Sequence, residues 1–241
     1  MMMAERPGHE PRAEATRERI VTAAERLFAE RGVVAVSNRQ ISEAAGQGNN
    51  TAVGYHFGSK EELVRAIVRR HAVPIEQARI DRVARVRGST RVRDWVACLV
   101  YPATEHLAGL GVPSWFARFS AQVMTDPGLR EIMAAESLST PSLREVLDGL
   151  SACADLPLPV HLERSEMAGH LVVHMCEQRE RRLARGTTTA KHSWQSAAVG
   201  LVDAITAIWL APVTPDDAGE ATARPHAAGS RGDDDKGGNR E

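Results

Sequence analysis

The segment 47–60 gathers side chains whose chemistry suits a nucleic acid. Asn49, Asn50 and Thr51 carry amides and a hydroxyl that match base edges, and Tyr55 and His56 carry groups that match bases or phosphates. Ala52 and Gly54 between them are small enough to let a backbone approach closely. Asparagine is the sharpest of these, because its amide pairs bidentately with adenine. The same residues also make an ordinary capped turn, since Asn and Gly are frequent turn formers.

Other chemistry is poorly supported. The motifs G-x-S-x-G, H-E-x-x-H, G-x-x-x-x-G-K-[ST] and G-x-G-x-x-G do not occur, which argues against an enzyme. Glu166, His170 and His174 fall at i, i+4 and i+8 on one helix face, but no fourth ligand accompanies them, so no metal and no cofactor is expected. Cys98, Cys153 and Cys176 are an odd, widely spaced set without C-x-x-C, as in a reduced cytoplasm. Redox sensing would need an activated thiolate, and the sequence offers none.

The elements that must position 47–60 are helices. Aromatics make up 4% of the chain and alanine is abundant, which disfavours strands, while 43% apolar content suffices for a core. No apolar run is long enough to span a bilayer, and residues 1–12 lack the apolar stretch of a secretion signal. Ile20, Ala24, Leu27 and Phe28 form the stripe of a first helix from near Thr16, with Gly32 at its end. Ser37 and Gln40 spell a capping box, with Val36 and Ile41 as its hydrophobic staple, opening a short helix that turns Ile41, Ala44 and Ala45 inward and stops at Gly46. After the turn 47–50, a short helix runs from Thr51 to His56. A second capping box at Ser59 to Glu62 then opens a long helix with Leu63, Val64, Ile67 and Val68 on one side, which Pro74 should kink or end. Two short helices joined tightly after a supporting first one make a helix-turn-helix, whose second member fits a major groove.

Net charge is −1, yet it divides unevenly. Residues 1–87 carry 15 basic against 11 acidic side chains, and residues 88–241 carry 15 against 20. The basic end therefore coincides with the helix-turn-helix.

At this point the sequence resembles the TetR/AcrR family of bacterial transcriptional regulators. The resemblance rests on Thr16 to Val21 with Ala23 to Gly32, on Asn38 to Gly46, and on Tyr55 to Leu63, in that order and spacing, over roughly residues 14–70. The turn Gln47-Gly48-Asn49-Asn50 is one residue longer than is commonest in the family. The resemblance implies that Ser37, Arg39, Tyr55, His56 and Lys60 hold phosphates, leaving Asn49, Asn50, Thr51 and Gly54 for sequence readout. For Lys60, a helix N-terminus adds its own attraction for an anion.

The resemblance also implies an all-α chain, with an N-terminal helix-turn-helix domain and a larger helical domain for ligand binding and dimerisation. The expected layout is an arm at 1–12, a DNA-binding domain at 13–70, a regulatory domain at 71–211 and a disordered tail at 212–241. In the regulatory part, helices are expected around 95–107, 114–124 and 126–150, followed by an antiparallel pair at 160–183 and 191–210. An effector pocket is expected among Trp95, Leu99, His106, Trp115, Phe116, Phe119, Met124 and Met133, each of which is also an ordinary core residue. A dimer interface is expected at Met167, Leu171 and His174 with Trp194, Ala198, Leu201, Ile205 and Ile208, although that last seam would serve equally within the chain. The expected function is a cytoplasmic homodimeric repressor released from a palindromic DNA operator by a small molecule. The alternative is an activator, or a regulator of the same fold controlled by a protein partner.

Overall fold

The computed structural model describes residues 10–49, 51–187 and 193–214. Among the described residues there are ten α-helices and no strand. They are α1 (Glu10–Arg31), α2 (Asn38–Ala44), α3 (Ala52–Phe57), α4 (Lys60–Val86), α5 (Val92–Gly109), α6 (Phe116–Val123), α7 (Pro127–Leu138), α8 (Pro141–Cys153), α9 (Leu158–Ala184) and α10 (Trp194–Leu210). No helix among them is long and apolar enough to cross a membrane.

Helix α1 begins at Glu10, within the segment expected as an arm. Pro11 fits its first turn, where a missing N–H leaves nothing unpaired. The stripe Ile20, Ala24, Leu27 and Phe28 is fully or almost fully buried. The capping box at α2 forms as expected: Ser37 Oγ accepts from the Gln40 amide at 3.3 Å, and the Ser37 amide donates to Gln40 Oε1 at 2.8 Å. Val36 and Ile41, the staple, are both buried. Ala44 is exposed rather than inward, because Ile41, Ser42 and Ala45 fill that face.

At α4 the expected second box is half formed. Ser59 Oγ accepts from the Glu62 amide at 3.1 Å, but the Glu62 carboxylate receives Arg65 Nε at 3.2 Å instead of reaching back. Pro74 does not end this helix, which continues for three more turns. A proline at this position removes a backbone bond and costs about 3 kcal/mol. Packing offsets that cost, because α4 is covered by α1 on its head side and by α5, α7 and α8 along its length.

Two apolar cores result. One joins α1 to the first half of α4 through α2 and α3, and it also takes in Phe119 and Val123 of α6 and Leu129 of α7. The other joins Val83 of α4 to α5, α8, α9 and α10. Phe116 of α6 packs against both. The head is therefore continuous with the body through α4 and α6. Helix α10 lies mainly along α5 and only secondarily along α9, so the expected antiparallel pair has α5 as its third member. Residues 215–241 of the expected tail, and Lys191 at the expected start of the last helix, lie outside the described residues.

Candidate functional site

Helix α3 is held at both ends. Asn49 Oδ1 accepts from the Thr51 amide at 2.9 Å and from Thr51 Oγ1 at 2.7 Å, so the Asn49 side chain shapes the turn and keeps only its amide donors for an outside partner. Gly58, at φ 73°, ends the helix in the left-handed region that favours glycine. Inward, α3 sets Ala52, Val53 and Phe57 into the head core. Outward it presents Thr51, Gly54 and Tyr55, the last with 84% of its surface exposed. His56 is half-buried, with its ring edge-on to Tyr55. Asn50 lies outside the described residues.

One residue that sequence reasoning missed fixes the far end of α3. Arg17 on α1 donates from Nη1 to the His56 carbonyl at 3.0 Å and stacks its guanidinium 4.3 Å above the Phe57 ring. That satisfies a helix-terminal carbonyl and adds a cation–π contact. The Arg17 and Phe57 side chains are far apart in sequence, and only the fold makes them neighbours.

The residues expected at phosphates occupy different situations. Arg39 is exposed on α2, paired at the surface with Glu43 at 2.8 Å. Its guanidinium is free to exchange that partner, because exposed pairs of this kind are weak. Ser37 is exposed too, its hydroxyl engaged with Gln40. Lys60 departs from the expectation. Its Nζ donates to the carbonyls of Val33 at 3.1 Å and Val36 at 2.8 Å, so it braces the loop before α2 against the start of α4. Glu61 and Glu62 stand beside it in the first turn of α4, which further disfavours an anion there.

Behind the head, α4 to α9 line a half-open cavity of about 290 Å3. Its wall on α4 is the stripe Val68, Ala72, Ile75 and Arg79; Leu99, Ala103 and Leu107 of α5, Phe116 and Ser120 of α6, Met133 of α7, Leu143 of α8 and Val172 and Cys176 of α9 complete most of it. Of the pocket residues expected from sequence, Leu99, Phe116 and Met133 are here; the other five are not. Trp95 is buried elsewhere, its Nε1 bonded to the Ser89 carbonyl at 3.0 Å. Phe119 is spent in the head core, and Met124 caps the end of α6. Trp115 lines a separate groove with Thr22, Arg26 and Arg70. The α4 stripe, at spacings of four, three and four, was visible in the sequence, but its Arg and the Pro74 inside it disguised it.

His106, half-buried, stands next to the cavity at the end of a chain of polar groups whose other members, Glu25 and His71, are buried. His71 on α4 lies between Glu25 on α1 and His106 on α5, with Nε2 3.0 Å from Glu25 Oε2 and Nδ1 2.8 Å from His106 Nε2. Burial, and secondly the neighbouring His71, push His106 down to about 4, so it is neutral near pH 7. An ionised carboxylate can only accept, which makes His71 the donor at Nε2; on a neutral ring its Nδ1 is then the acceptor from His106. The Phe116 ring stacks on His71 with centroids 3.8 Å apart. One aromatic wall of the cavity thus leans on a polar chain that reaches α1.

On the other side of the body, Ala198, Leu201 and Ile205 are buried within the chain. They cover α5, so this part of the expected dimer seam is used internally. Leu171, Trp194 and Ile208 are partly buried. Met167 and His174 are exposed on α9, in company with Leu158, Leu162 and Met175, and Val199 and Leu210 are exposed on α10. Burial pushes the Cys176 thiol up to about 12, the opposite of a reactive thiolate.

Residues 20–67 match the family described as bacterial regulatory proteins, tetR family. No curated protein matches the chain. Among solved structures, a TetR family transcription regulator from Marinobacter aquaeolei VT8 covers 81% of this chain with 97% of its own, at 18% identity and a TM-score of 0.54. SmeT, the repressor of the Stenotrophomonas maltophilia multidrug efflux pump SmeDEF, covers 81% with 90% of its own, at 20% identity and a TM-score of 0.51. NalD, the secondary repressor of the MexAB-OprM multidrug efflux pump in Pseudomonas aeruginosa, covers 80% with 96% of its own, at 22% identity and a TM-score of 0.52. At these identities the structural likeness establishes a shared all-α fold.

Proposed function

We propose that this chain, a TetR-type transcription regulator by its matched head and its fold, is a homodimeric repressor that a small molecule releases from a palindromic operator. The observation that carries the reading is that one helix, α4, both anchors the DNA-binding head and forms a wall of an apolar cavity. A cavity of about 290 Å3 is at the lower end of ligand-site sizes, which start at about 300 Å3. A regulator controlled by a protein partner would have no use for such a space, and that favours the ligand reading over the partner reading.

Thr51 at the start of α3 and Gly54 on it then face the major groove, Asn49 lies at its entry, and Ser37, Arg39, Tyr55 and His56 meet phosphates. Two such heads must sit about 34–36 Å apart to engage successive turns of DNA. The second copy is assigned to the outer faces of α9 and α10, which carry the exposed apolar residues Leu158, Leu162, Met167, Met175, Val199 and Leu210. An occupant of the cavity pushes Phe116, and with it His71, so the Glu25–His71–His106 chain carries the displacement to α1 and changes the spacing of the heads. A chromosomal operator places the protein in the cytoplasm.

A footprint and gel shift on the DNA upstream of the protein's own gene, at low salt, tests the reading. Protection of two half-sites about one helical turn apart is expected. Failure to retain any genomic fragment would sink it, and a monomer by sedimentation at micromolar concentration would remove the dimer.

A further inference from the structure

Of the described residues that line the cavity, Gly169 of α9 alone is exposed; the others are buried or partly buried. Successive residues of an α-helix are about 100° apart, so positions three, four and seven away share one side. Along the Gly169 side of α9, Leu162 is 60% exposed, Val172 and Val173 are partly buried, and Cys176 is 3% exposed. That side passes from solvent to interior across Gly169, and the half-open cavity has its mouth there. Leu162 is the outer rim, whereas Met167 and Met175 turn to other sides of the helix.

Nothing in the packing requires a glycine at this position. An added Cβ would meet no described atom within 4 Å, and the backbone does not enter the left-handed region. The opposite holds at Gly149 of α8, where the Trp95 ring takes the space of a Cβ. Inside a helix of 27 residues, glycine is otherwise the poorest choice after proline, because its backbone has the most freedom to lose. What its bareness provides is open space on the side of α9 that leads inward. No Asp or Glu lines the cavity beyond it, so the passage suits an uncharged apolar molecule.

We propose that Gly169 is the entrance of the cavity, and that its missing side chain sets the rate at which apolar molecules enter and leave. The proposal rests on the reading of this cavity as the effector site. A larger side chain at this position narrows the entrance, so that a molecule passes only when the entrance moves aside, while the bound state beyond it is unaltered. Association and dissociation then slow together. A residue that takes up space inside the cavity acts differently, weakening binding and speeding dissociation.

Stopped-flow fluorescence of the full chain with N-phenyl-1-naphthylamine, an uncharged apolar probe that brightens on leaving water, reads both rates. Gly169→Leu should slow association and dissociation alike by about tenfold and change affinity by less than about threefold; Gly169→Ala should slow them less. Both variants put a better helix former into open space, so thermal unfolding should find them no less stable than the parent protein. Ala103→Leu, on the α5 wall of the cavity, should instead lower affinity through faster dissociation. Absence of probe binding, binding that Ala103→Leu leaves unchanged, unchanged rates in Gly169→Leu, or a loss of affinity in Gly169→Leu carried by dissociation alone each overturns the proposal. Operator release by the probe is followed separately, by fluorescence anisotropy of the upstream fragment. Gly169-dependent entry that leaves the operator bound contradicts effector release and leaves the entrance standing; probe-driven release that Gly169→Leu does not slow does the reverse.

Discussion

Lys60 and Arg39 are both basic residues of the head, yet their surroundings give them different work. The Lys60 ammonium gives two of its three protons to the Val33 and Val36 carbonyls, so its replacement loosens the loop that sets α2. Lys60→Met should therefore lower stability by about 1–3 kcal/mol and weaken operator binding with little change in the salt slope, because no phosphate contact is lost. Arg39 is exposed and holds only a surface partner, so Arg39→Ala should leave stability within about 0.5 kcal/mol and reduce the magnitude of the salt slope by about 0.9, the signature of one phosphate. Thermal unfolding paired with anisotropy at several salt concentrations checks both; a Lys60 variant that changed only the salt slope would return Lys60 to the phosphates. The sequence identified both residues by type and position. It did not give their partners, because carbonyls accepting from Lys60 Nζ lie 24 and 27 residues away and carry no side-chain signature.

At the scale of elements, legibility follows how local the determinants are. The α2 box and staple are contained within six residues and were readable; so were Leu63, Val64, Ile67 and Val68, whose spacing alone buries them. The course of α4 through Pro74 was not, since it depends on helices that come later in the chain. Gly149 gives another case. In α8 it faces the Trp95 ring so closely that an added Cβ would overlap the ring atoms. Gly149→Ala should destabilise the body by about 1–3 kcal/mol even though alanine is the better helix former, and urea denaturation reads that sign directly. The polar chain is the third. Glu25, His71 and His106 come from α1, α4 and α5, and only their assembly makes a link between head and cavity. His71→Phe keeps a ring against Phe116 but removes both hydrogen bonds. Ligand affinity measured with and without operator should then differ less than in the parent protein, while each partner still binds alone; an unchanged ratio would show that the signal travels by another route.

The whole molecule carries these groups as differences between its folded and unfolded states, and acid exposes them in order. Folding holds His106 at about 4, below the value of about 6.5 for a free histidine, so the unfolded chain binds the extra proton first. Stability is therefore full above about pH 6.5 and falls as pH drops from there toward 4, below which both states are protonated and the loss is complete. Glu136 follows at lower pH. Hydrogen bonds from Arg69 and Arg65 of α4 keep its carboxyl below the usual range, so its contribution is present above about pH 4.3 and disappears as pH falls through its folded value. The first window belongs to the link between head and body, the second to the α4–α7 contact. His106→Asn retains an amide donor toward His71 without a group that titrates, so its stability should vary less between pH 6.5 and 4.5 than that of the parent protein. Glu136→Gln should leave that window unchanged and lower stability at pH 7, where the two arginines lose their shared carboxylate. Urea denaturation at half-unit pH steps separates the two; a parent protein whose stability is flat from pH 6.5 to 4.5 would mean that His106 takes up its proton as readily in the fold as out of it.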